Sequence, residues 1–230
     1  GEPDPYPFPA RSSYFGIVDL AGLPKDVYYM YQSEWSNKTV LHILPHWNWK
    51  KDQEINVWAY YNNADEVELF LNGKSLGKKS KQNDDLHVSW KVKFEPGTLK
   101  AISRKNGKVV LEKEIKTAGE ASKLNLEADK KVIKNDTYDL VYVTVSMTDK
   151  DGILVPNAMD LINFEVTGGG KLVGVDNGYQ ANLESFKANS CKLFNGKCVV
   201  IIQSNGKKEK IQLKATAENL QASVVEVKVE

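Results

Sequence analysis

Hydrophobic and polar residues alternate along most of the chain beyond residue 36. Val88, Trp90, Val92 and Phe94 point one way, and His87, Ser89, Lys91 and Lys93 point the other. Val141, Val143, Val145 and Met147 alternate with Tyr142, Thr144, Ser146 and Thr148, and Val225, Val227 and Val229 alternate with Glu226, Lys228 and Glu230. A period of two with one polar face predicts antiparallel strands in sheets wetted on one side. Asn-Gly pairs at 72–73, 106–107, 177–178, 195–196 and 205–206, with Asp151-Gly152, punctuate these runs. Asn-Gly favours the tight type I′ turn, whose twist matches that of the strands it joins. The predicted hairpins pair 66–72 with 73–76, 99–105 with 108–115, and 199–203 with 208–213. Many short strands with closely spaced turn signals predict β-sandwiches. The run Thr117-Ala118-Gly119-Glu120 marks a boundary between two sets of strands. The sets hold about 80 and about 110 residues, both ordinary sizes for a domain. The fold class is therefore mainly β, with two antiparallel β-sandwiches in tandem over residues 37–118 and 119–230.

Residues 1–36 do not follow this pattern. Pro3, Pro5, Pro7 and Pro9 stand at alternate positions, so no strand ladder runs through them. One short helix follows, with Pro24 in its first turn and Val27, Tyr31 and Trp35 spaced i, i+4, i+8 along one face. A proline-braced loop and a lone helix cannot bury a core of their own. The segment reads as the end of a larger domain whose body lies upstream, with Tyr31 and Trp35 expected to face the sandwich that begins near Thr39.

The stretch Gly1–Trp35 carries GEP-x-PYP-x-P-x-RSSYFGIVDLAG-x-PKD-x-YY-x-YQS-x-W. It is similar to the stretch that closes the catalytic (β/α)8 barrel in family 2 glycoside hydrolases of the β-galactosidase type. The resemblance implies that residues 1–36 are a remnant of that barrel, its loop after the eighth strand plus its last helix. The run from Leu41 to Lys79 resembles the first immunoglobulin-like domain behind such a barrel, and the runs between Asp139 and Ser204 resemble the terminal one. Two positions depart from the family pattern. Tyr179-Gln180-Ala181 stands where an Asp-Pro-type turn is usual, and Cys191 stands where a basic residue is usual.

Composition adds exclusions. The 31 basic and 30 acidic residues leave a net charge of +1, which argues against a nucleic-acid or anionic-membrane surface. The longest apolar runs, Cys198 to Ile202 among them, fall far short of the ~18 residues that a membrane span needs. The family resemblance implies export, to the periplasm or outside the cell. Cys191 and Cys198 flank the Asn195-Gly196 turn. A two-residue hairpin there sets Leu193 opposite Cys198 and Cys191 opposite Val200, so the thiols lie diagonally on one face, ~7–8 Å apart, and are expected to be free.

Candidate chemistry is sparse. In the family, the acid/base and nucleophile glutamates come from earlier barrel strands, so no catalytic residue is assigned here. Barrel active sites lie at the C-terminal face, on the loops that follow strands. Glu2, Asp4, Tyr6 and Arg11 are therefore candidates for the rim of a sugar pocket, set against a role in shaping the loop. Trp47 and Trp49, at i, i+2, would share a face on a strand and offer rings for a sugar, set against packing on the neighbouring barrel. No metal or cofactor is expected. His42 and His46 cannot form a helical ligand pair with Pro45 between them, and Asp149-Lys150-Asp151-Gly152 lacks the glutamate that closes a calcium loop. Gly168-Gly169-Gly170 misses the dinucleotide spacing.

The expected function is that of a non-catalytic scaffold in a retaining β-galactosidase-like enzyme. The barrel would bind a carbohydrate substrate, and the sandwiches would buttress it and supply homo-oligomer contacts. A carbohydrate-binding module and an adhesin of immunoglobulin-like repeats are the alternatives from other classes. The barrel-like opening argues against the adhesin.

Overall fold

The computed structural model describes residues 10–230. Glu2, Asp4 and Tyr6 lie outside the described residues. The described residues form two compact units, one of residues 24–118 and one that joins residues 10–23 to Gly119–Glu230. Residues 10–36 are thus divided between the two units. The helix belongs with the first sandwich and the preceding loop with the second.

The first unit begins with α1 (Asp26–Trp35). It continues through β1 (Leu41–Leu44), β2 (Glu54–Tyr61), β3 (Glu66–Leu71), β4 (Lys74–Lys79), β5 (Val88–Lys93), β6 (Thr98–Lys105) and β7 (Lys108–Lys116). Two sheets, ordered β1-β2-β5 and β4-β3-β6-β7, share one core. Ile55, Val57, Ala59, Val88, Trp90 and Val92 come from the first sheet and Val67, Leu69, Leu99 and Ala101 from the second. The β3–β4 and β6–β7 hairpins form as their Asn-Gly signals predict, with Asn72 and Asn106 at φ of 50°.

The helix does lie on this sandwich, but through a different face from the one expected. The Tyr29 ring stacks on His42 of β1 with centroids 3.9 Å apart, and Asp26 Oδ1 pairs with His42 Nε2 at 2.8 Å. Ser33 is buried, and the Asn62 amide donates to its carbonyl oxygen at 2.9 Å. Trp35 is 78% exposed, and its ring meets only Tyr31 among the described aromatic contacts. At about 100° per residue, a face built on Tyr29 and Ser33 turns Tyr31 and Trp35 to the far side. Val27, Tyr28, Tyr29, Met30 and Tyr31 make the helix apolar almost all round. Periodicity could not choose the inward face. Polar partners on β1 and after β2 chose it.

The second unit contains β8 (Lys123–Ala128), β9 (Val132–Ile133), β10 (Leu140–Thr148), β11 (Leu161–Thr167), β12 (Gly170–Asp176), β13 (Ser190–Lys192), β14 (Lys197–Ser204), β15 (Ile211–Thr216) and β16 (Ser223–Val229). Its sheets are ordered β12-β14-β10-β8 and β13-β11-β15-β16-β9. The inward set of β10, Val141, Val143, Val145 and Met147, is fully buried. The hairpin predicted between 199–203 and 208–213 does not form. β14 pairs with β10 and β12, whereas β15 pairs with β11 and β16. Asn205-Gly206 therefore starts a crossing between sheets, where the Asn205 amide donates to the carbonyl oxygens of Gly168 and Gly170. An Asn-Gly signal marks a reversal and does not say whether the next strand joins the same sheet.

A charged corner braces the start of β10. Asp139 accepts from Lys130 Nζ at 2.8 Å and from the backbone N–H groups of Lys134 and Leu140. These partners, the Lys130 ammonium first, lower its carboxyl from 3.8 to about 2. A depressed folded-state value means that the charged form stabilises the fold. The contribution is complete above the ordinary value and disappears as pH falls from about 4 towards about 2. Asp139→Asn is expected to lower the melting temperature at pH 6, with the gap to the parent closing below pH 3. A gap of constant size across a pH series of thermal melts would contradict this assignment.

Candidate functional site

The loop between β12 and β13 is built from side chains that turn their own backbone. Asp176 Oδ1 accepts from the N–H groups of Asn177 and Gly178, Asn177 Oδ1 from that of Tyr179, and Asn182 Oδ1 from that of Glu184. Such Asx turns replace ladder hydrogen bonds where no strand continues. The Asn177 amide also donates to Lys192 O at 2.9 Å, tying the start of the loop to its end, and the Tyr179 ring stacks on Phe194 with centroids 4.7 Å apart.

Arg11 lies on this loop. Its backbone N–H donates to Gln180 O at 2.6 Å, and its guanidinium donates to Glu184 O at 3.2 Å and sits 4.1 Å from the centre of the Phe186 ring. Asp19 closes its own turn by accepting the Leu23 N–H at 2.9 Å, and its carboxylate lies where a Cβ on Gly178 would stand, 2.1 Å from the Oδ2 position. Arg11 and Asp19 therefore dock residues 11–23 onto the loop. Arg11 is exposed, and one guanidinium N–H and its planar face are engaged in holding the segment. Sequence reasoning missed Gln180, Glu184 and Phe186 as its partners. They lie some 170 positions away, and nothing local to either segment announces the pairing.

The tryptophan pair does not present two open rings on one face. Trp47 is 1% exposed, its Nε1 donates to Glu95 O at 3.0 Å, and its ring meets Phe94 edge-on at 5.3 Å. Trp49 packs against the same core, stacks on His46 at 4.5 Å and donates to His46 O at 2.7 Å. Neither residue is on a strand, because 45–53 is the connection between β1 and β2. The shared-face argument from i, i+2 spacing therefore does not apply. Burial holds His46 below the ordinary histidine value, with Asp26 opposing the shift.

The aromatic face that remains accessible lies on the outer side of β2. Trp58 is 37% exposed and stacks on His87 with centroids 4.2 Å apart, while Tyr60 is buried between His87 and His42. The signal was present in EINVWAYY, where Ile55, Val57, Ala59 and Tyr61 point inward and Asn56, Trp58 and Tyr60 outward.

Comparison with known proteins decides the family. The profile described as glycoside hydrolase family 2 C-terminal domain 5 matches residues 124–226. A second profile, described as a domain of unknown function, matches 52–111. A protein named beta-galactosidase BoGH2A from Bacteroides ovatus is 57% identical over 230 residues, covering 100% of this chain and 27% of that protein. The chain belongs to the C-terminal region of glycoside hydrolase family 2 proteins. A putative beta-glucuronidase from Formosa agariphila is 39% identical over 188 residues, 79% of this chain and 18% of that protein. A crystal structure of a beta-glycosidase from Bacteroides vulgatus superposes with a TM-score of 0.91 at 35% identity, over 96% of this chain and 29% of that one. The chain thus spans under a third of each of these relatives.

For a family 2 hydrolase the chemistry to look for is a pair of carboxylates about 5–5.5 Å apart in a retaining enzyme, one of them with a raised pKa. Among the described residues, each carboxylate with a resolved shift is lowered, namely Glu68, Asp136, Asp139, Asp149 and Glu226. All five are held in the charged form by hydrogen-bond donors. Asp149, the first acid of the calcium-like run, accepts from the N–H groups of Gly119, Asp151 and Ile153, so its oxygens serve a turn. Among the described residues no group of three or more His, Cys, Asp or Glu side chains is placed to hold a metal ion. A hollow of about 320 Å³ on the β3–β6 face, lined by Phe70, Thr98, Lys100, Ile102 and Glu114, offers one carboxylate and not two.

Proposed function

We infer that this chain is the non-catalytic C-terminal scaffold of a retaining β-galactosidase-like enzyme. The observation that carries this reading is the division of the opening segment between the two units. Arg11–Leu23 is docked on the loop of the second unit by Arg11 and Asp19, and Asp26–Trp35 is docked on β1 and β2 of the first by Asp26, Tyr29 and Ser33. In the family resemblance that segment closes the catalytic barrel, at the face where barrel active sites are built. The sandwiches then act by fixing the position of that closing loop and helix. Hydrolysis of terminal β-galactosides or related β-glycosides belongs to the barrel, which binds the carbohydrate. Self-association through the sandwiches and location in the periplasm or outside the cell belong to the same reading.

The purified chain is expected to show no turnover of a nitrophenyl β-galactoside above a vector-only preparation. The product of the native gene, expressed with several hundred residues upstream of Gly1, should turn it over readily. Hydrolysis by the isolated chain would overturn the scaffold assignment.

A further inference from the structure

β5 is the edge of its sheet, with β2 on one side and no strand on the other. The Phe94 N–H donates to Gln53 O at 2.8 Å, so Phe94 turns its backbone groups towards β2. In an antiparallel ladder, successive residues direct their N–H and C=O to opposite edges. Trp90 and Val92 therefore face β2, and Ser89, Lys91 and Lys93 face the open edge. The Ser89 oxygen is taken by the Lys79 ammonium of β4 at 2.6 Å. Among the described residues, nothing pairs with the edge-facing backbone groups of Lys91 and Lys93.

This edge is one wall of a groove of about 420 Å³. Lys91, Val92 and Lys93 line one side, and Leu71, Lys74 and Leu76 line the other. Leu71 and Val92 are buried and Leu76 is half-buried, so the floor is apolar. The Lys79 ammonium lies 5.7 Å from the centre of the Trp90 ring, which places that indole at the same opening. The Trp90 N–H is buried and has no acceptor. The rim is cationic. Lys91 meets Glu54 only at 3.8 Å, Lys74 and Lys93 have no ion-pair partner among the described residues, and Glu95 is the one acid in the lining.

We propose that the free edge of β5 accepts an extended, acidic peptide segment of a partner protein as an added strand. An extended backbone is the partner that offers N–H and C=O in the alternation that Lys91 and Lys93 leave unmet. Its side chains alternate between two faces. One set would cover Leu71, Leu76 and Val92, and the other would set carboxylates beside Lys91 and Lys93. A second copy of this chain pairing through its own β5 would bring lysine against lysine, and like charges directly opposite are destabilising. Lysines on an edge guard it against indiscriminate pairing. An acidic strand is the kind these lysines admit.

The test uses the whole chain, isotope-labelled, and a synthetic peptide of alternating glutamate and valine, about eight residues long to span an ordinary strand. Amide hydrogen exchange at Lys91 and Lys93 is expected to slow at least about tenfold with peptide bound, because both N–H groups gain acceptors. Exchange at Val92, already bonded to β2, should change little. A peptide with prolines in place of its central valines cannot donate to the edge and should bind at least about tenfold more weakly, as should one of alternating lysine and valine. Lys91→Glu combined with Lys93→Glu should reverse the preference between the glutamate and lysine peptides. Lys91→Pro removes only an edge-facing N–H, so it should keep the melting temperature and weaken peptide binding. No slowing at Lys91 and Lys93 with about 1 mM peptide, or equal binding of the proline or lysine peptide, would overturn the proposal and leave the lysines as guards of a bare edge.

Discussion

Replacing Trp47 with alanine is expected to destabilise the first unit by about 3–5 kcal/mol, the usual cost of truncating a buried large aromatic. Trp47 is among the largest fully buried side chains, lies edge-on to Phe94, and its indole N–H satisfies the Glu95 carbonyl. Truncation leaves a cavity beside Phe94 in a close-packed core, and it orphans an acceptor. Its backbone is fixed as well, since Thr117 Oγ1 donates to Trp47 O at 2.8 Å, so collapse around the gap is limited. Urea unfolding of the whole chain, read as two transitions because there are two units, provides the measurement. The transition of the first unit should move and that of the second should not. A loss under about 1 kcal/mol would mean that Trp47 is not the core residue described here, and would reopen its candidacy as a sugar contact.

Gly168→Ala is expected to cost the second unit a comparable amount, about 3–5 kcal/mol, for a different reason. Gly168 has φ of +80°, and a Cβ there would stand 1.9 Å from the Lys210 carbonyl oxygen. The obstacle is backbone, which cannot swing aside as a side chain would. The turn from β11 to β12 passes beneath residues 207–210, and Asn205 clamps it by donating to the oxygens of Gly168 and Gly170. Gly152→Ala is the internal control, because Gly152 has the same φ of +80° with nothing within 4 Å of the added Cβ. It should cost only the left-handed penalty, about 1–2 kcal/mol. The difference between the two in thermal or urea unfolding isolates the close approach. Equal losses would show that conformation alone, not contact with Lys210, requires glycine at 168.

The glycine run also shows why local reading stops where it does. As a sequence, Gly168-Gly169-Gly170 fits no phosphate-binding spacing, and its purpose was not visible. The reason lies in a backbone segment forty residues downstream. Arg11 is a similar case, with partners in a loop whose sequence departs from the family pattern. Trp47 and Trp49 were read with the period of a strand, but they stand in a connection where no such period holds. The predicted thiol diagonal assumed that Cys191 and Cys198 shared one sheet, whereas their strands part company at Phe194.

What the sequence determined by itself was the set of strands, most of their inward faces and the family. Alternation over β5 and β10 names the buried residues because the pleat forces successive side chains to opposite faces. The Asn-Gly pairs mark reversals because few residues tolerate the turn. The dense match over the first 35 residues carries the kinship without any geometry. The tertiary structure decided which sheet each strand joins, which side of an almost uniformly apolar helix turns inward, and which unit holds each half of the opening segment. Those choices rest on contacts between residues far apart in the chain, Asp26 with His42, Arg11 with Glu184 and Asn205 with Gly168. Each requires loop closure before it can contribute, so no local pattern records it.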